Sequence, residues 1–161
     1  MVMGVCGAGK SVIGSALAES LRLDFVEGDG FHPARNVERM SAGIPLTDED
    51  RAEWLQLLAA RLAHATSSGA GLVMTCSALK RAYRDVLRAG APDLRFVYLR
   101  GPQGLLAQRL AARTGHFMPR SLLESQLATL EEPAGDEDAW VYDIVRSPAS
   151  IVADLVARAR A

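Results

Sequence analysis

The chain has 161 residues, with 18 basic and 19 acidic side chains and a formal net charge of −1, which is the size of one domain. This charge balance argues against a protein that coats nucleic acid or an anionic membrane, and no run of 18 apolar residues indicates a membrane span. The two cysteines, Cys6 and Cys76, predict neither a disulfide framework nor a structural zinc site. We therefore expect a cytoplasmic protein whose residues 1–161 form a single domain.

Short apolar segments alternate with longer segments of helical periodicity along the chain. The predicted strands are 1–5, 24–27, 71–76, 94–99 and 141–145. Most are near-continuous apolar runs, as in the central strands of a parallel sheet covered on both faces. Apolar stripes at helical spacing lie within 12–21, 55–62, 79–87, 105–110 and 151–156. This alternation predicts a three-layer α/β fold, with a parallel sheet of about five strands flanked by helices.

Two features near the C-terminus complete this outline. Ser147 followed by Pro148 is typical of a helix N-cap and the first helical residue. The segment 131–138 contains five acidic side chains. We expect it to be a solvated connection that is too short to separate two domains.

Gly4 opens a segment that satisfies every fixed position of the phosphate-loop pattern G-x-x-x-x-G-K-[ST], which predicts a P-loop NTPase fold. Glycines allow successive backbone N–H groups to converge on phosphate oxygens, and the helix that begins near Lys10 adds the positive end of its dipole. We expect Lys10 to bind the β- and γ-phosphates of ATP and the Ser11 hydroxyl to ligate Mg²⁺. The candidate nucleotide ligands in this region are Gly4, Cys6, Gly7, Ala8, Gly9, Lys10, Ser11 and Val12.

The rest of the chain favours a small-molecule kinase among the phosphate-loop proteins. It lacks the Asn-Lys-x-Asp motif of GTPases, and the third predicted strand does not end in the carboxylate of a motor ATPase. Asp29 follows the second strand, where ligands bind in open α/β sheets, and can orient the proton of an attacking hydroxyl. Glu27 can instead hold Mg²⁺ through water. A shikimate or nucleoside monophosphate kinase and a non-catalytic nucleotide-binding module remain as alternatives.

Two arginines mark a candidate lid. Arg109 and Arg113 are four residues apart on one predicted helical face, and a loop containing Gly115 follows them. We expect a small lid over about 113–125, whose arginines bind ATP phosphates and neutralise charge on the transferred phosphoryl group. Arg113 borders the loop and is therefore the preferred catalytic residue of the pair.

With these motifs in place, the chain resembles the small gluconokinases from residue 1 to about residue 133. The segments that carry the resemblance include Glu27-Gly28-Asp29, His32-Pro33, Arg35-Asn36, Met40-Ser41-Ala42-Gly43, Pro45-Leu46-Thr47-Asp48-Glu49-Asp50-Arg51, Cys76-Ser77-Ala78-Leu79-Lys80-Arg81, Arg109-Leu110, Gly115-His116-Phe117, Ser125-Gln126 and Leu130-Glu131-Glu132-Pro133. The resemblance implies a fold shared with shikimate kinase, transfer of the ATP γ-phosphate to the 6-hydroxyl of D-gluconate, and a homodimer. Cys6 and Ala8 stand where relatives often carry serines, but both are variable positions of the loop, so ATP binding should persist.

Gluconate is a polyol with one carboxylate, so its site requires cationic groups and many hydrogen-bond partners. The candidates that the resemblance supports are Asp29, His32, Arg35, Arg51, Ser77, Ala78, Lys80, Arg84, His116 and Gln126. Lys80, Arg84 and Arg88 recur every four residues and predict one basic helical stripe, of which we expect the first two to face the substrate and Arg88 to be solvated. Aromatic residues do not alternate with basic ones as in a base-stacking surface, so we do not expect a nucleic-acid partner.

Overall fold

A five-stranded parallel sheet forms the centre of the computed structural model, which describes residues 1–112 and 120–161. The strands are β1 (Val2–Met3), β2 (Asp24–Glu27), β3 (Leu72–Cys76), β4 (Val97–Arg100) and β5 (Trp140–Asp143). They lie in the order β2-β3-β1-β4-β5, so the first strand of the chain is central. The predicted α/β class and the parallel sheet of five strands are confirmed.

Helices follow the strands as the periodicity predicts. They are α1 (Lys10–Leu21), α2 (Ala34–Ser41), α3 (Asp48–Ser67), α4 (Arg81–Gly90), α5 (Gln103–Ala111), α6 (Arg120–Thr129) and α7 (Pro148–Arg160). Helix α1 packs on β1, β2, β3 and α7, and α3 packs on α4. Ser147 caps α7 by accepting a hydrogen bond from the Ser150 amide, which confirms the predicted helix start.

The central strands begin and end within a few residues of the predicted bounds. Strand β1 stops at Met3 because Gly4 has a φ of 137° and turns away, and a Cβ at Gly4 would lie 2.7 Å from the Leu99 carbonyl oxygen. Strand β4 begins at Val97 rather than at residue 94, because the Leu94 amide donates to the Ala91 carbonyl in a turn. The phosphate loop therefore follows directly after β1, the most buried strand of the sheet.

The acidic segment 131–138 differs from its prediction as a solvated connection. It contains a short 3-10 helix, Gly135–Glu137, and Glu137 is buried. Residues 113–119 of the predicted lid lie outside the described residues, and the part of that lid from residue 120 onward belongs to α6.

Among residues 1–112 and 120–161, no helix is both long enough and apolar enough to cross a membrane.

Candidate active site

The phosphate loop connects β1 to α1 and exposes its backbone to two cavities. Gly7 has a φ of 80°, and a Cβ there would lie 2.9 Å from the Leu106 carbonyl oxygen, so a side chain cannot replace its hydrogen. Lys10 Nζ donates to the Val5 carbonyl at 3.1 Å, which folds its side chain over the loop. The half-buried Ser11 hydroxyl at the start of α1 has no hydrogen-bond partner among the described residues. The loop therefore presents an amine and an unused hydroxyl at the N-terminus of a helix, where anions bind.

The first cavity is a largely apolar groove between the loop, α5 and the start of α7. Its lining residues are Gly7, Ala8, Gly9, Val12, Ile13, Arg109, Ile144, Arg146, Pro148 and Ile151. Arg109 Nη2 donates to the Ile144 carbonyl at 2.9 Å, which fixes the guanidinium on the rim. An apolar groove with arginines on its rim beside a phosphate loop fits the base and sugar of a nucleotide.

The second cavity is the candidate acceptor pocket, and Cys6 and Lys10 of the phosphate loop form part of its wall. It is lined by Cys6, Lys10, Asp29, His32, Met40, Pro45, Leu46, Arg51, Ser77, Leu122, Ser125 and Gln126. The structure thus brings together the following predicted site residues: Cys6, Lys10, Asp29, His32, Arg51, Ser77 and Gln126. A carboxylate, an imidazole and two cations converge here, which suits a polar acceptor placed next to a bound phosphate.

Asp29 lies on a one-turn 3-10 helix, Gly28–Phe31, that is held firmly against β3 and α3. The Gly28 amide donates to Thr75 Oγ1 at 3.2 Å, and Trp54 Nε1 donates to the Gly28 carbonyl at 2.8 Å. The Thr75 hydroxyl donates in turn to the Glu27 carboxylate. A Cβ at Gly28 would lie 2.0 Å from the Thr75 carbonyl oxygen, so only glycine allows this approach. Glu27 therefore helps to hold the turn, and Asp29 is the carboxylate that reaches the pocket.

His32 is neutral in the acceptor pocket at physiological pH. Its ring stacks on Trp54 with centroids 4.0 Å apart and an interplanar angle of 17°. Burial lowers the pKa of His32 to about 4, while the Asp29 carboxylate opposes this shift and the Arg51 guanidinium adds to it. The imidazole is thus a hydrogen-bonding group rather than a cation.

This lowered pKa predicts a pH-dependent stability. The unfolded chain binds a proton at His32 below its ordinary pKa of 6.5, whereas the folded chain binds it only near pH 4. The stability contributed by the neutral imidazole is therefore complete above about pH 6.5 and is lost as the pH falls toward about 4. The urea concentration at the unfolding midpoint should decrease from pH 7 to pH 5, and this decrease should be larger for the wild type than for His32→Gln. An equal fall in both proteins would contradict the lowered pKa.

Arg51 supplies a buried cation with spare hydrogen-bonding capacity. The residue is 8% exposed, and its guanidinium lies 5.8 Å from the centroid of the Tyr83 ring. Its Nε atom is buried and has no hydrogen-bond partner among the described residues. Because an unpaired buried donor costs about 1–3 kcal/mol, this guanidinium is well suited to an anionic or hydroxyl-rich ligand.

Arg35 and Lys80 are predicted substrate residues whose side chains lie outside the acceptor pocket. Arg35 Nη2 contacts the Glu53 carboxylate at 2.6 Å on the protein surface, and both side chains are more than half exposed. Lys80 Nζ contacts both carboxylate oxygens of Asp48 at 2.8 Å. In each case a nearby acidic side chain holds the cation away from the cavity.

The prediction that Arg84 binds substrate is wrong, because this side chain is fully buried in an ion pair behind the pocket. Its Nε and Nη2 contact the Glu137 carboxylate at 2.5 and 2.8 Å. Its Nη1 donates to the carbonyls of Ala78, Leu79 and Glu131 at 2.9, 3.4 and 3.0 Å. Ala78 is itself buried, with a φ of 45°, and does not line the pocket. Arg84 instead fixes the segment that places Ser77 in the wall.

Arg88 differs from its prediction as a solvated residue. Its Nη2 donates to the Glu137 carbonyl at 2.6 Å, and its guanidinium lies 4.8 Å from the centroid of the Phe96 ring. The predicted basic stripe is therefore not a solvated face, because Arg84 is buried in the core and Arg88 packs against Phe96.

Gln126 links α6 to the phosphate loop. Its Oε1 accepts a hydrogen bond from the Cys6 amide at 2.7 Å, and its side chain also lines the acceptor pocket. The two remaining predicted residues, Arg113 and His116, lie outside the described residues.

Comparisons with known proteins identify the family of this chain. A family model described as an AAA domain matches residues 1–133. A gluconokinase of Gluconobacter oxydans (strain 621H) is 48% identical over 156 residues, which cover 97% of this chain and 88% of that protein. The chain belongs to the gluconokinase family.

Solved structures agree with membership of the gluconokinase family. A gluconokinase structure from Sinorhizobium meliloti 1021 has a TM-score of 0.88 and 50% identity, and the match covers 97% of this chain and 87% of that one. A shikimate kinase from Acinetobacter baumannii has a TM-score of 0.58 at 22% identity over 96% of this chain and 88% of that one. This second likeness shows the fold alone, and both the predicted resemblance and the P-loop fold are confirmed.

One wall of the nucleotide groove in this gluconokinase-family chain comes from residues that no sequence motif indicated. Ile144, Arg146 and Pro148 follow β5 and lie opposite the phosphate loop. The predicted helix start at Ser147 could have indicated them, because the carboxyl ends of parallel strands meet at one edge of the sheet.

Proposed function

We propose that the protein is an ATP-dependent kinase that phosphorylates the 6-hydroxyl of D-gluconate, with 6-phospho-D-gluconate and ADP as products. The arrangement that carries this proposal is the phosphate loop between an apolar groove and a polar pocket that contains Asp29, His32 and Arg51. The gluconokinase relatives support gluconate as the acceptor.

In this reaction the acceptor hydroxyl attacks the γ-phosphorus, and the bond from that phosphorus to the bridging oxygen of ADP breaks. Asp29 orients the hydroxyl and accepts its proton, which then passes to solvent. Lys10 and the loop amides bind the phosphate oxygens, and Arg109 borders the nucleotide groove. The proposed lid over about 113–125, with Arg113 as its catalytic arginine and His116 near the acceptor, would exclude water from the transfer.

Mg²⁺ is part of the proposal, with Ser11 as its protein ligand. The unused Ser11 hydroxyl at the start of α1 fits this role, since Mg²⁺ is commonly held by few protein ligands together with substrate phosphates. Mg²⁺ held there would supply positive charge that neutralises the phosphate oxygens of ATP.

The acceptor side uses one permanent cation and several neutral groups. Arg51, with its unpaired Nε, is the proposed partner of the gluconate carboxylate. His32, Ser77 and Gln126 supply hydrogen-bonding groups for hydroxyls from three separate elements. We also propose a cytoplasmic homodimer, following the resemblance to small gluconokinases, and sedimentation equilibrium of the purified protein tests the oligomeric state.

A coupled ADP-release assay across several acceptors tests the reaction. Gluconate with ATP and Mg²⁺ should be turned over, whereas shikimate and nucleoside monophosphates should not. Preferential turnover of either of those acceptors, or no turnover of gluconate by the folded protein, would contradict the proposed function.

Replacing Lys10 with alanine should lower kcat at least about a hundredfold, because the charge that stabilises the transferring phosphoryl group is lost. Lys80→Ala is the matched control, since Lys80 is bound to Asp48 outside the pocket. Its kcat should stay close to that of the wild type. Equal losses in the two variants would remove the special role of Lys10, and a circular dichroism spectrum of each shows that it is folded.

A further inference from the structure

His32 lies in a hydrogen-bonded arrangement that determines which of its two ring nitrogens carries the proton. The Asn36 side chain on α2 is fully buried, and its Nδ2 lies 2.7 Å from the Asp50 carbonyl oxygen and 3.3 Å from His32 Nδ1. A backbone carbonyl can only accept a hydrogen bond. The atom of Asn36 that faces it must therefore be the amide NH₂, which fixes the orientation of this side chain.

The same NH₂ group faces His32, so His32 Nδ1 must accept rather than donate. A neutral imidazole with an unprotonated Nδ1 carries its proton on Nε2. The ring is neutral because burial lowers the pKa of His32 to about 4, and it packs face to face on Trp54. The charged groups that act on the ring are Asp29 and Arg51, and their opposing effects leave burial dominant.

Asn36 contributes its amide N–H groups, and not its oxygen, to the hydrogen bonds of this arrangement. Its Oδ1 is buried and has no hydrogen-bond partner among the described residues. A buried unpaired oxygen costs about 1–3 kcal/mol, so an apolar side chain of similar size would suit the site better if packing were the only requirement. The donors of Asn36 reach one backbone carbonyl on α3 and one nitrogen of a pocket residue.

The other ring nitrogen of His32 is available to a ligand. His32 lines the acceptor pocket, and its Nε2 has no partner among residues 1–112 and 120–161. We propose that His32 is held by Asn36 as the neutral Nε2–H tautomer and donates a hydrogen bond to a hydroxyl oxygen of the acceptor. Asn36 is then a positioning residue, because it acts on the acceptor only through the imidazole.

This tautomer gives His32 and Asp29 different roles in the pocket. The proposal rests on the proposed function only for the identity of the acceptor. An imidazole with its proton on Nε2 and its Nδ1 occupied cannot take the proton of the attacking hydroxyl. Asp29 remains as the carboxylate that accepts it. His32 therefore contributes to acceptor recognition rather than to proton transfer.

Long-range ¹H–¹⁵N correlation spectra of the full chain read the tautomer directly and require no activity. The sequence contains three histidines, so His64→Gln and His116→Gln variants assign the spectrum. At pH 7 we expect a protonated Nε2 and an unprotonated Nδ1 for His32, while exposed His64 serves as the internal control. A protonated Nδ1, an imidazolium, or the same tautomer mixture as His64 would overturn the proposal.

The Asn36→Asp variant tests the positioning role. An aspartate has no N–H to offer Nδ1 and accepts a hydrogen bond from it instead, so the His32 proton should move to Nδ1. The KM for gluconate should then rise about tenfold, with little change in the KM for ATP. An unchanged His32 tautomer in the folded variant would overturn the role of Asn36.

A matched pair of substitutions at His32 keeps the proposal testable if Asn36→Asp does not fold. Glutamine can place an N–H near the position of Nε2, whereas asparagine places one only near that of Nδ1. We expect the KM for gluconate of His32→Gln to be about five- to tenfold lower than that of His32→Asn. Equal KM values would overturn the donation from Nε2. If the wild type does not phosphorylate gluconate at all, the proposed function fails while the spectra still decide the tautomer.

Discussion

Replacing Asp29 with asparagine should lower kcat for gluconate phosphorylation about a thousandfold, within the range expected when a general base is removed. The substitution preserves the size of the side chain and removes its negative charge, and with it the ability to accept the hydroxyl proton. The turn that carries it is fixed by the contacts of Gly28 with Thr75 and Trp54, so the fold should not change. Initial rates in the coupled assay, together with a thermal unfolding curve, measure both quantities.

Asp24→Asn is the matched control for this experiment. Asp24 is an exposed carboxylate at the start of β2, the strand that precedes the Asp29 turn, and lies outside the acceptor pocket. Its variant should retain kcat within about twofold of the wild type, as surface substitutions usually do. A folded Asp29→Asn enzyme with wild-type activity would show that another group accepts the proton.

The second large effect concerns stability. Arg84→Met should lower the free energy of unfolding by about 3–5 kcal/mol, because it leaves the Glu137 carboxylate buried without its partner. Both side chains of this pair are only 1% exposed. The substitution also removes the donor for the carbonyls of Ala78 and Glu131, which hold the pocket wall to the segment before β5. Urea unfolding at pH 7 measures the loss.

A neighbouring exposed pair gives the control for Arg84. Arg81 Nη2 contacts Asp136 at 2.7 Å, one turn earlier on α4, and both side chains are at least half exposed. Arg81→Met should change the unfolding free energy by less than about 1 kcal/mol, as is typical of surface ion pairs. If Arg84→Met also lowered the free energy of unfolding by less than about 1 kcal/mol, the buried ion pair would not stabilise the fold.

The pH dependence of the same ion pair provides a check that does not require substitution. The hydrogen bonds from Arg84 lower the pKa of Glu137 to about 2 from its ordinary value of 4.5. Stability from this carboxylate is therefore present above about pH 4.5 and is lost as the pH falls toward 2. Most of this range lies below the range of about 4 to 6.5 in which His32 titrates, so the two contributions to stability can be distinguished by pH.

Features that depend on adjacent residues could be predicted from the sequence. The phosphate loop is one continuous segment whose glycines and lysine must be neighbours, and α1 begins at Lys10 as predicted. The position of Asp29 follows from the end of β2, since parallel strands bring their carboxyl ends to one edge. The alternation of apolar runs and helical stripes likewise indicated the order in which strands and helices follow one another along the chain.

Features that depend on distant pairs could not be predicted. Arg84 and Glu137 are 53 positions apart, and nothing near either residue indicates that they meet in the core. The four-residue spacing predicted that Lys80 and Arg84 share one exposed helical face. In the structure Lys80 precedes α4 and pairs with Asp48, whereas Arg84 is buried and pairs with Glu137. The spacing of charged residues indicates which of them share a face of one helix. Whether each side chain is buried or exposed depends on an acidic partner from a distant segment of the chain.

The close contact between Gly28 and β3 has a consequence for redesigning the acceptor preference. The Gly28 backbone is hydrogen-bonded to Thr75 and packed closely against β3, so the backbone of the adjacent Asp29 is fixed relative to the sheet. The pocket lining also includes Pro45 and Leu46, which lie in the connection between α2 and α3 and belong to no strand. Shorter or longer sugar acids should therefore be accommodated by exchanging residues in that connection, with the reactive end of the molecule left untouched.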